Sequence, residues 1–138
     1  MAGRGAVNGA WRLVAGGVVL VGVGWLLPVL AQRAGLGAAS STPALFALSW
    51  GIASFLGALV ARTGFLPVAL VLWVAVWKLV LFTLYRIAEP VGAASVLGLL
   101  QLNALAILLS LAATIAGALL GQRMAARWQR RGGGPVAV

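Results

Sequence analysis

Few residues in this 138-residue chain can do chemistry, and those that can lie far apart. There is no His and no Cys, and the one acidic side chain is Glu89. Acid–base pairs, Ser-His-Asp nucleophiles, thiolates and His/Cys metal clusters therefore lack their reagents. Glycine-rich patches fall inside apolar runs rather than at strand-to-helix turns, which excludes phosphate-cradling loops. The sequence reads as a non-enzyme, with no catalytic residue, no metal site and no cofactor.

What remains is a lysine in an unusual place. Lys78 stands near the middle of the apolar run Phe65–Glu89, FLPVALVLWVAVWKLVLFTLYRIAE. An ammonium at bilayer depth costs about 2.5–3.5 kcal/mol on insertion scales, so it needs relief. Snorkelling is the simplest relief. A helical side chain leans toward its own N-terminus, however, which here is the farther membrane surface. The neighbouring apolar runs offer partners instead: Gln101 and Asn103 have amide oxygens, Ser49 a hydroxyl, and Trp50 and Trp77 ring faces. Folding the chain back about Pro90 sets Lys78 opposite Leu102, between Gln101 and Asn103. Folding about Arg62–Gly64 sets it level with Ser49 and Trp50. Lys78, Gln101, Asn103, Ser49 and Trp50 are thus expected to form one buried polar layer, acting either as glue between helices or as an anion or proton site.

The elements that would position this layer follow from composition. Hydrophobic residues make up 63% and charged residues 8% of the chain, with a mean hydropathy of +1.11. A soluble domain carries about a quarter charged residues. Apolar runs long enough to cross a bilayer are expected at about residues 13–31, 44–61, 65–88 and 91–121. The sequence therefore predicts an all-α membrane protein, a four-transmembrane-helix up-down bundle filling residues 1–131, and a disordered tail at 132–138.

Local signals set the ends. Asn8 can cap the first helix, and Pro28 can kink it. Leu13 to Leu27 after Arg4 and Arg12 also has the form of a cleavable signal peptide ending near Ala31. The long leader and the nearby Arg33 favour retention as a span. Thr42-Pro43 suits a helix start, and Glu89-Pro90 suits a stop. Small residues recur at helical spacing as Ala47, Gly51, Ser54 and Ala58, then as Ala106, Ser110, Thr114 and Ala118. The pair Gly117 and Gly121 makes a GxxxG step, a weak dimer signal beside its ordinary use in close packing.

Charge supplies orientation. The net charge is +9, with ten Lys plus Arg. In a soluble protein this would point to nucleic acid. Here the bases flank apolar runs, with no aromatic-interleaved groove, so the expected partner is a bilayer with anionic headgroups and not nucleic acid. Trp11, Arg12, Tyr85, Arg86, Arg123, Arg127, Trp128, Arg130 and Arg131 are the expected interface anchors, and Glu89 is expected to pair with Arg86. Placing both termini and the Arg62 turn on one side gathers seven arginines there against Arg33 and Arg86 opposite. That side is cytoplasmic by the positive-inside rule, giving N-in/C-in topology and a bacterial cytoplasmic (inner) membrane setting. Function is expected to be that of an accessory or structural subunit working through helix contacts, in a homo-oligomer or a larger membrane complex. The alternative is a small oligomeric transporter or channel using the layer around Lys78.

Overall fold

In hydrocarbon every backbone N–H and C=O must be satisfied within the segment that carries it, so an apolar run becomes helix even where glycine weakens its propensity. The computed structural model, which describes residues 3–35, 43–91 and 95–132, follows this rule. Helix α1 spans Gly3–Arg33, α2 Pro43–Ala61, α3 Phe65–Ala88 and α4 Val96–Gly132, with a 3-10 turn at Glu89–Val91. All four are long and apolar enough to cross a membrane, with best-window hydropathies of 2.0 to 2.3.

The helix ends show what stops each run. Beyond α1, Gly35 takes a left-handed conformation (φ 80°), open to glycine because it lacks a Cβ. There Ala34 N–H donates to Leu30 O at 2.9 Å. Beyond α2 the left-handed residue is Arg62 (φ 68°), whose N–H donates to Ala58 O at 2.8 Å. Gly64, also left-handed at φ 68°, precedes α3 and gives it no side-chain cap. The cap comes from α4: with its oxygen turned to α3, the Gln122 amide accepts from Phe65 N–H and Leu66 N–H at 2.8 and 3.2 Å.

Three boundaries differ from the sequence expectation. Asn8 lies inside α1 rather than at its start, because the helix already begins at Gly3. Helix α4 begins at Val96, not near Val91, where the 3-10 turn at Glu89–Val91 interrupts the chain. At its other end α4 runs through the arginines to Gly132, past the apolar limit near Gly121. Thr42 and the tail residues 133–138 lie outside the described residues.

Helix α2 is the centre of the packing. It lies most extensively against α4 and next against α1, while α3 rests mainly on α4 and touches α1 and α2 less. Its most apolar window is 39% buried, against 17% for those of α1 and α3. The physical reason is side-chain size. At the α1–α2 crossing, a Cβ on Gly16 would sit 2.6 Å from Gly57 O, and one on Gly57 2.7 Å from Gly16 O. At the α2–α4 crossing, a Cβ on Gly117 would collide with Gly51 O, and one on Gly121 would lie 2.5 Å from Phe55 O. The Gly117–Gly121 step is therefore consumed within the chain, against α2, and is not free to dimerise. Around these crossings Leu20, Trp50, Ala53, Ala58, Ala61, Phe65, Ala69 and Ala118 form the core.

Candidate functional site

Two small hydroxyls on the buried face of α4 organise the polar interior. Ser110 and Thr114, one turn apart, are both fully buried. Ser110 Oγ accepts from the indole N–H groups of Trp73 and Trp77 at 3.0 and 3.1 Å, and donates to Ile107 O at 3.1 Å. One hydroxyl thus uses both lone pairs and its proton. Trp73 and Trp77 are four residues apart, so α3 presents both from one face. Phe46 of α2 closes the cluster edge-on to Trp77, with centroids 5.8 Å apart, and tilts against Trp50 at 6.2 Å. Below it, buried Ser54 Oγ donates to Thr114 O at 2.9 Å and ties α2 to α4. Thr114 Oγ1 is buried without a hydrogen-bond partner among the described residues.

Lys78 is next to this layer in sequence and outside it in space. Its side chain is exposed, and no hydrogen bond or ion pair reaches it among the described residues, whereas Trp77 beside it is 7% exposed. The residues expected around Lys78 are placed as follows. Asn103 Nδ2 donates to Leu99 O at 2.8 Å and Ser49 Oγ to Leu45 O at 2.9 Å, each within its own helix. Gln101 is exposed and Trp50 is buried in the core. The expected layer is therefore not assembled within one chain.

The reason is register. Folding about Pro90 would set Trp77 opposite Asn103, whereas it meets Ser110, seven residues further on, an offset of roughly 10 Å along a helix. The pivot of the α3–α4 hairpin lies past Pro90, and each residue of delay shifts the facing residue by two. Against α2 the depth estimate holds to about a turn, since Phe46 lies on Trp77, but Trp77 and not Lys78 faces inward. Sequence reading missed Ser110 as an acceptor and took it only as a small residue. The available signal was two tryptophans at i, i+4 on α3 together with a serine in the otherwise apolar stretch 104–113 of α4.

The interface residues lie on exposed surface for the most part. Trp11 and Trp128 are 69% and 60% exposed. Arg12, Arg86, Arg123, Arg127, Arg130 and Arg131 are exposed, and Tyr85 is half-buried. Arg86 Nη1 and Glu89 Oε2 pair at 3.5 Å, as expected from their spacing. Among the described residues, three clefts bear on the site. An apolar groove of about 620 Å³ lies between α1 and α3, lined by residues such as Leu13, Gly17, Val21 and Leu72. A second, of about 250 Å³, lies over Phe46 and Trp50, beside Pro28 and Gln32. A third, of about 380 Å³, sits at the α2–α3 turn, lined by Arg62, Thr63, Gly64, Leu119, Gln122, Arg123 and Ala126. Lys78 lines none of the three.

Comparison with known families, curated proteins and solved structures finds no match.

Proposed function

We propose that this small integral membrane protein is an accessory or structural subunit whose contact with its assembly is made through the outward face of α3. The observation that carries the reading is Lys78. It stands 13 residues from Phe65 and 10 from Ala88, roughly 20 and 15 Å from the helix ends, beyond the reach of its own stem. It is exposed and has no partner among the described residues, which supports relief by a partner outside this chain. Val71, Val74, Leu79 and Phe82 are exposed around it, an apolar rim suited to a packed helix. In the same reading the protein sits in a bacterial cytoplasmic membrane as an N-in/C-in up-down bundle. The seven-to-two division of flanking arginines supports this orientation. The reading assigns it no catalysis, in keeping with one acidic side chain and no His or Cys.

A photo-crosslinking residue at position 78, with controls at Leu102 and Leu105 on exposed α4, tests the assignment in native membranes. A discrete protein adduct at 78, absent at the controls, is the expected result. Adducts to lipid alone at all three positions would remove the subunit reading. A transport pathway, if there is one, has to form between copies that converge on Lys78, since this side chain faces away from its own chain's interior. Substrate flux in proteoliposomes that is abolished by Lys78→Met would favour that alternative.

A further inference from the structure

The cleft at the α2–α3 turn has a chemistry unlike the other two. Arg62 and Arg123 both line it, from the turn and from α4, and so does Thr63. The chain's one acidic side chain, Glu89, is a helix length away, roughly 36 Å, and already pairs with Arg86. Arg62 is held in the left-handed conformation, which fixes the backbone from which its guanidinium projects. Gln122, which caps α3, lines the same cleft and locks α4 to the turn. The two arginines therefore project from backbone that is mutually braced. Two guanidinium-bearing residues and a hydroxyl-bearing one on the same cleft supply the donor types that recognise the oxygens of a phosphate group.

The apolar part of the cleft selects the carrier of that phosphate. Leu119 lies one turn from Arg123 toward the apolar body of α4, and it is 40% exposed. A ligand seated here meets cations at one end and a membrane-facing leucine at the other. We infer that the Arg62–Arg123 cleft is a binding site for the phosphate of an anionic phospholipid, with an acyl chain running along Leu119. This site is distinct from the general attraction of the Arg127, Arg130 and Arg131 tail to charged headgroups, and it does not depend on Lys78 having a partner.

The test is native mass spectrometry of the full chain in a neutral detergent, titrated with phosphatidylglycerol, with phosphatidylcholine, and with inorganic phosphate. One phosphatidylglycerol per chain is expected to be retained, with phosphatidylcholine and inorganic phosphate failing to match it. Arg62→Gln with Arg123→Gln is expected to weaken retention by about 30-fold. Arg130→Gln with Arg131→Gln, equal in charge change, should leave that first lipid bound. Ala126→Phe keeps every charge and fills the cleft, and it should also lose the lipid. Helical content and melting without lipid are measured for each variant, so that only folded protein is compared. Equal weakening by the two arginine pairs, retention in a folded Ala126→Phe variant, or equal binding of inorganic phosphate would each overturn the proposal.

Discussion

Ser110 shows how much one hydroxyl can do where water is absent. Two indole donors converge on it, and neither has another acceptor among the described residues. Ser110→Ala leaves both N–H groups without that acceptor, so a loss of about 1–2 kcal/mol in unfolding free energy in micelles is expected. The change should also shift tryptophan emission, because the environment of both indoles changes. Ser49→Ala is the matched control: its hydroxyl bonds Leu45 O in its own helix, a carbonyl that the helix can serve without it. A change of less than about 0.5 kcal/mol is expected there. Gln122 offers a second residue-scale test. Gln122→Leu removes the cap on Phe65 and Leu66 and should cost about 1 kcal/mol. Gln122→Glu keeps an acceptor and adds negative charge at a helix N-terminus, so it should restore most of that loss. Failure of Glu to do better than Leu would show that the amide oxygen does not face α3.

Helices in lipid gain little from burying apolar surface against one another, so close contact has to come from small residues. The α2 helix applies this on two sides. Gly57 meets Gly16 of α1, and Gly51 meets Gly117 of α4. Adding side chains at these crossings forces backbones apart. Gly117→Val and Gly57→Val should each lower stability by roughly 1–3 kcal/mol or more. Gly22, which has nothing within 4 Å of a built Cβ, gives the contrasting result. Gly22→Ala meets no neighbour and should stabilise the helix by up to about 1 kcal/mol. Thermal unfolding of the three variants in one detergent compares them directly. If Gly117→Val melts like the parent, the α2–α4 crossing is not as close as described. The same crossing places the GxxxG step of α4 against α2.

At the scale of the whole molecule, the chain is a set of apolar helices with an uneven interior. The central α2 is the most covered, while α1, α3 and α4 turn their most exposed large side chains outward: Val18, Trp25, Val71, Phe82, Leu102 and Leu105 are all more than 60% exposed. Lipid covers such a surface readily, and a partner helix can replace lipid at little cost. Orientation rests on arginine placement, and cysteine labelling checks it in a chain with no cysteine of its own. Single cysteines introduced at positions 37 and 133 should be reached from opposite sides, with 133 cytoplasmic. Labelling of both from one side would remove the four-span N-in/C-in arrangement. Detection of a mature chain beginning near Gln32 would show that the first span is a signal peptide.

Environment and element type were legible in the sequence, because they depend on local quantities: run length, hydropathy and the near absence of acidic residues. The helix Phe65–Ala88 and its Arg86–Glu89 pair follow from such local rules. Facing residues do not. Lys78 and Trp77 are neighbours in sequence, about 100° apart around a helix, and the apolar pattern of α3 is too uniform to say which turns inward. The length of the connection after Ala88 then set the register against α4 and brought Ser110, not Gln101 or Asn103, to the level of Trp77. Tertiary packing decided this because large indoles fill the space beside α2 and find their acceptor there, whereas a buried ammonium would have found the chain's one acidic side chain, Glu89, at the end of α3 and already paired with Arg86.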